Sequence, residues 1–213
     1  MTIDVKICGL TDAAAIEAAV EGGAAMCGFV FFPVSPRNLT PEAAAKLTKG
    51  VPEGVIRVGL TVDADDALLA EIASVAGVDM LQLHGSETPE RTAEVRDRLG
   101  LPVMKVLPVQ GPDDLAAAEA YEGAADKLMF DAKPPEDATR PGGNARAFDW
   151  RLLRDRTFAL PWLLAGGLTA ENLAQAVKTS GAVAVDVSSG VEDAPGVKNA
   201  DKIRAFLAAA AAL

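Results

Sequence analysis

The chain has 213 residues, half of them hydrophobic, and carries 30 acidic against 20 basic side chains for a formal charge of −10. That balance excludes the basic stripe that nucleic-acid binding requires and attraction to an anionic membrane surface, so an anionic ligand must be captured by local features against a repulsive field. No basic segment leads into an apolar stretch of signal-peptide type, no run of about 18 apolar residues could span a bilayer, and two cysteines make no disulfide framework; the expected location is cytoplasmic.

The first apolar run, IDVKICG, ends at Cys8, and Thr11 precedes the helical stretch DAAAIEAAV, which stops at Gly22 and Gly23. AMCGFVFF follows and runs through PVSPR to Arg37. Thr40 and Pro41 open PEAAAKLTK, closed by Gly50. VIRVGLTV is next, then Asp63 opening ADDALLAEIASVA before Gly77. VDMLQLHG ends at His84, the only histidine, and Thr88 with Pro89 opens PERTAEVRDRL before Gly100. PVMKVLPV leads to PDDLAAAEAYE, opened by Pro112 and closed by Gly123. DKLMFDAK carries Asp131 and gives way to a long polar loop, 133–147. PWLLAGG ends at Gly166 and Gly167, after which Thr169 opens AENLAQAVKTS before Gly181. AVAVDVSS carries Asp186 ahead of Ser188, Ser189 and Gly190.

A capping residue or proline at each start and glycine past each end is ordinary helix punctuation. The apolar runs are near-continuous and β-branched, which predicts parallel strands buried on both faces. Eight such units of roughly 27 residues predict an α/β fold, a (β/α)8 TIM barrel over residues 1–213 as one domain. A doubly wound open sheet is the rival, but eight regular units without a break suit closure better.

Chemistry in such a barrel sits at the C-terminal ends of the strands. Cys8, Arg37, His84, Asp131, Gly166–Gly167 and the Asp186–Gly190 stretch all fall there. Singly, each has an ordinary reading: Cys8 as core filler, His84 as a histidine satisfied by backbone, Asp131 and Asp186 as loop caps, Arg37 as a solvated cation. Convergence on one mouth favours function. Cys27, at the start of the second strand, is expected about five residues from Cys8 along the axis, roughly 16 Å. That is too far for a disulfide, so Cys27 is read as filler.

LLAGGLTAEN and VDVSSGVED place glycine or serine between strand and helix, where backbone N–H groups can hold an anion. GVEDAPG suits the short extra helix that often completes a phosphate site in these barrels. One histidine and two distant cysteines make no zinc site, and neither a GxGxxG nor a Walker pattern is present.

VKICGLT at 5–11, FFPVSPR at 31–37, QLHG at 82–85, FDAK at 130–133, PGG with FDW at 141–150, LAGGLT at 164–169 and DVSSGVE at 186–192 together resemble the phosphoribosylanthranilate isomerase family of tryptophan biosynthesis. They lie in that family's order and cover nearly the whole chain. The resemblance implies an Amadori rearrangement of N-(5-phosphoribosyl)anthranilate to 1-(o-carboxyphenylamino)-1-deoxyribulose 5-phosphate, without a cofactor. It implies Cys8 as general base, Asp131 as general acid, Arg37 facing the anthranilate carboxylate, and Gly166, Gly167, Ser188, Ser189 and Gly190 around the phosphate. His84 and Asp186 match pocket positions. The partner is then a small phosphorylated substrate, and the protein a monomer or homodimer. A base at Cys8 must be a thiolate, so something must lower its pKa, and Asp131 must keep its proton, which burial would favour.

In that family the loop before FDW usually runs Gly-Gly-x-Gly; here Ala145 stands at the last glycine, beside Asn144, which tolerates left-handed geometry. The preceding KPPEDATRP is a candidate lid. There are three rival functions. A histidine-pathway aminoaldose isomerase would end its first strand in aspartate rather than Cys8. A non-catalytic phosphate-binding barrel needs neither Cys8 nor Asp131. A cysteine hydrolase built on Cys8 and His84 lacks an identifiable oxyanion hole.

Overall fold

The computed structural model describes residues 2–135, 138, 140–143 and 147–213; Asn144 and Ala145 lie outside them. Eight parallel strands close into a barrel in sequence order. They are β1 (Asp4–Cys8), β2 (Met26–Phe31), β3 (Ile56–Thr61), β4 (Met80–Leu83), β5 (Val103–Val109), β6 (Lys127–Ala132), β7 (Trp162–Leu164) and β8 (Ala184–Val187), with β8 pairing back onto β1. The helices are α1 (Ala13–Glu21), α2 (Pro41–Thr48), α3 (Asp66–Val75), α4 (Pro89–Leu99), the short α5 (Ala117–Ala120) behind a 3₁₀ turn at Pro112–Ala116, α6 (Leu173–Ser180) and α7 (Ala200–Ala211).

Alternation along each strand sorts the core into two layers. Outward residues such as Ile7, Cys27, Phe29, Leu81 and Phe130 pack beneath the helices on Ile16, Ile72, Val95 and Phe206. Inward ones build a floor low in the barrel from Met26, Met80, Met104 and Met129 with Val58 and Leu163. Above that floor Cys8, Val30 and Leu60 form a small separate cluster at the mouth.

Several helix starts differ from the sequence expectation. Asp12, not Thr11, caps α1 by accepting from Ala15 N at 2.9 Å. Asp65, not Asp63, caps α3, accepting from Leu68 N at 2.9 Å, while Asp63 accepts from Ser86 N at 2.7 Å and so joins two neighbouring loops. Thr169 and Asn172 bond each other's backbone N–H, at 3.4 and 2.9 Å, and α6 starts only at Leu173. Between β6 and β7 the described residues form only a 3₁₀ turn, Trp150–Leu153. GVEDAPG is not a helix either: a 3₁₀ turn at Ser189–Val191 runs into a hairpin of β9 (Glu192–Ala194) and β10 (Val197–Lys198).

The spacing of the cysteines is also corrected. Cys27 pairs with Ile7 and Cys8 with Gly28, one register step apart rather than about five, because strand tilt staggers neighbours in a closed barrel. Both thiols are free. Their separation is a matter of direction: Cys8 points into the mouth, and Cys27 points outward beneath the helices.

Candidate active site

All ten residues singled out from the sequence line one of two adjoining cavities at the C-terminal mouth. Cys8, Arg37, His84, Asp131, Asp186 and Ser188 line a cavity of about 480 Å³ walled by Val30, Phe32, Leu60 and Val62. Gly166, Gly167, Ser188, Ser189 and Gly190 line the neighbouring one, of about 410 Å³, which again touches Asp131 and Asp186. One cavity is a partly apolar slot and the other a ring of small residues. Arg140, Pro141, Gly142 and Gly143 bring the described part of the 133–147 loop over the first.

Arg37 is buried, which its place in a loop did not foretell. Its Nε and Nη2 donate to Glu192 Oε1 and Oε2, each at 2.7 Å. Nη1 is turned toward Gly143, where a β-carbon would come within 2.8 Å of it. Lys198 Nζ donates to the same Glu192 at 2.7 Å and to Ser188 O at 2.9 Å. Burial would raise the Glu192 pKa, but Arg37 and then Lys198 outweigh it and hold the carboxyl below the ordinary range. For Lys198 burial wins over Glu192, and its pKa is lowered. One hairpin thus links the arginine to the small-residue ring. Sequence reading missed Glu192 and Lys198 because GVEDAPG passed for a helix.

Asp131, buried near the end of β6, accepts from Ala132 N at 2.8 Å through Oδ1 and places Oδ2 3.4 Å from His84 Nε2. His84 is the residue after β4 and is steadied by its N–H to Thr61 O at 2.9 Å. Below it, Lys105 Nζ donates to Glu87 Oε2 at 2.6 Å and Gly85 O at 2.7 Å. Glu87 in turn accepts from Asp63 N at 2.9 Å and Gly85 N at 3.0 Å, locking the loops after β3 and β4. Gln82, fully buried on β4, also lines the larger cavity, and its Oε1 has no hydrogen-bond partner among the described residues.

Lys6 is fully buried inside the barrel, and its Nζ donates to Asp186 Oδ1 at 2.8 Å. Burial works against its charge, but Asp186 and then Cys8 outweigh that, and its pKa lies above the usual lysine value. Burial pushes the Cys8 thiol up; Lys6 opposes the rise, Asp186 adds to it, and Lys198 opposes it. Cys27, for comparison, is pushed up to about 11 by burial. Lys6 and Lys105 share a signal that the sequence did offer: a lysine interrupting a run of buried apolar strand residues.

Among the described residues no group of three or more His, Cys, Asp or Glu is placed to hold a metal ion. The arrangement offers a thiol and a carboxyl to one cavity from β1 and β6, an arginine held at its rim, and backbone-rich loops able to receive an anion.

The family model for N-(5'-phosphoribosyl)anthranilate (PRA) isomerase matches residues 5–209. The N-(5'-phosphoribosyl)anthranilate isomerase of Paramagnetospirillum magneticum is 58% identical over 210 residues, spanning 99% of this chain and 98% of that one. Among solved structures, the phosphoribosyl anthranilate isomerase of Thermotoga maritima superposes with a TM-score of 0.88 at 36% identity, covering 99% of this chain and 100% of that one. A phosphoribosyl anthranilate isomerase in complex with reduced 1-(o-carboxyphenylamino)-1-deoxyribulose 5-phosphate superposes with a TM-score of 0.84 at 34% identity, with coverage of 99% and 100%.

Proposed function

The chain belongs to the N-(5'-phosphoribosyl)anthranilate isomerase family, and we propose that its two mouth cavities carry out the family's rearrangement by general acid–base catalysis with Cys8 and Asp131. The enzyme converts N-(5'-phosphoribosyl)anthranilate to 1-(o-carboxyphenylamino)-1-deoxyribulose 5-phosphate in tryptophan biosynthesis. Asp131 gives its proton to the ring oxygen, and the furanose opens to a Schiff base. Cys8, as thiolate, takes the proton from C2′, which the neighbouring iminium makes acidic. The resulting enolamine loses its hydroxyl proton and gains one at C1′, giving the ketone.

The phosphate binds against the backbone of Gly166, Gly167, Ser188, Ser189 and Gly190, and the anthranilate carboxylate against Arg37 Nη1. His84 orients Asp131, and Asp186 meets the sugar. The observation that carries this reading is that Cys8 and Asp131, three strands apart around the barrel, line the same cavity. We further propose that residues 1–213 act as one barrel domain in the cytoplasm, as monomer or homodimer, with the KPPEDATRP segment at 133–141 as a lid. No helix among the described residues is long and apolar enough to cross a membrane.

Substrate generated in place from anthranilate and phosphoribosyl pyrophosphate should lose its anthranilate fluorescence when the enzyme is added. Cys8→Ser and Asp131→Asn should each lower kcat by about 10²–10⁴-fold with product binding largely kept. Near-normal turnover in either variant would remove that residue from the mechanism.

A further inference from the structure

Four residues share one patch of the inner barrel wall. Lys6 and Cys8 are two apart on β1 and so point to the same face. Asp186 on β8 lies beside Lys6 in register, and Gly28 on β2 lies beside Cys8. The Lys6 ammonium leans past its own level toward the mouth: a β-carbon on Gly28 would come within 2.9 Å of Lys6 Nζ and 3.2 Å of Cys8 Sγ. The missing side chain at Gly28 is what lets the cation and the sulfur occupy one space.

We infer that Lys6 is the standing counter-ion of the Cys8 thiolate, and that Cys8 and Asp186 compete for its single ammonium. The inference rests on the reading of Cys8 as the base, and it names what makes that base available in a site where burial disfavours a thiolate. Asp186 already takes one N–H of Lys6 at 2.8 Å. An ammonium has three donors, so it can bond the sulfur as well, but its one positive charge is then divided between two anions. Among the described residues the other charged or titratable groups near the thiol are Lys198 of β10 and Arg37 of the loop after β2, both bonded to Glu192, and His84, Asp131 and Arg140 elsewhere around the cavity. Among the described residues Lys6 is a cation whose partner carboxylate, Asp186, stands next to the sulfur. Each anion therefore lowers the share of Lys6 left for the other. Substrate groups that engage Asp186 would release Lys6 to the thiolate when the base is needed.

The competition predicts opposite effects from its two members. Thiolate absorbance in the far ultraviolet is titrated in the free protein carrying Cys27→Ala, with the Cys8→Ser, Cys27→Ala protein as blank to remove the Tyr121 contribution. Asp186→Asn should move the Cys8 midpoint down by about one pH unit or more, and Lys6→Met should move it up by a similar amount, a tenfold change in thiolate at fixed pH. Lys6→Met leaves Asp186 buried without a partner and is prone to misfold. The double variant Lys6→Met, Asp186→Asn avoids that. Its midpoint should lie well above that of Asp186→Asn alone, from which it differs only in Lys6. Equal midpoints in those two proteins, or a rise on Asp186→Asn, would overturn the inference. Because no substrate is present, this result stands apart from the turnover of Cys8→Ser, which tests whether Cys8 is the base at all.

Discussion

Arg37 lies in a loop and has many rotamers, yet the proposed site needs it to present one edge to a substrate carboxylate. Glu192 solves this by taking Nε and Nη2 at 2.7 Å each, which fixes the guanidinium plane and leaves Nη1 for the cavity. Lys198 offsets the carboxylate, so the arginine keeps its attraction for an anion. Glutamine at 192 keeps the shape but loses the charge and one of the two acceptors, so one of the paired bonds, worth about 1.5–3 kcal/mol, is lost. Glu192→Gln should raise KM about tenfold and change kcat by less than about threefold, because the reacting atoms are untouched. Unchanged KM would show that Arg37 needs no support. The same residue has an acid signature. Its pKa is held down by Arg37 and Lys198 against burial, so near the ordinary glutamate pKa the folded protein binds fewer protons than the unfolded chain. Its stabilisation is present above that pH and is lost as pH falls through the lowered value. Acid unfolding of Glu192→Gln should have a shallower slope there than wild type.

At the scale of elements, the β9–β10 hairpin braces the loop that carries Arg37. Gly196 turns it with φ of 85°, and a β-carbon there would come within 2.7 Å of Pro36 O. Gly196→Ala brings backbone strain of about 1–3 kcal/mol and pushes the hairpin off the Pro36 loop. It should lower Tm and raise KM together, by thermal unfolding and steady-state kinetics; a rise in KM without loss of stability would mean the hairpin acts on substrate directly. This element was hidden in the sequence, since glycine, proline and acidic residues in GVEDAPG suit a helix start as well as a tight turn. Strands were legible because burial on both faces leaves an unbroken apolar run. Helix starts slipped because Asp12, Asp65 and Asn172 compete as caps with nearby Thr11, Asp63 and Thr169, and only the path out of each strand selects between them. The stagger that sets Cys27 beside Ile7 is a property of closure, which no single strand encodes. That Cys8, His84 and Asp131 share the barrel mouth was legible from their strand-end positions. Lys6 showed only as a lysine interrupting an apolar strand; its role depends on Asp186, 180 residues away.

The whole molecule sets these local cations against its own field. Among the described residues Lys6, Arg37 and Lys198 pair with Asp186 and Glu192, so this cluster carries one positive charge in excess while Cys8 is a thiol and none once it is a thiolate, whereas the chain carries −10. An incoming substrate with a phosphate and a carboxylate meets the outer field first and the cluster last. Salt screens the two unequally: exposed charges lose their reach beyond about 10 Å at 0.1 M ionic strength, while buried pairs are screened much less. Raising sodium chloride from about 10 to about 150 mM should therefore relieve the long-range repulsion more than it weakens capture, and kcat/KM should rise. Steered association to a cationic mouth would show the reverse. Stopped-flow binding of product over the same range separates the two, since the gain should appear in the association rate with little change in dissociation. A falling association rate would mean that the buried cluster, and not the acidic surface, governs the approach.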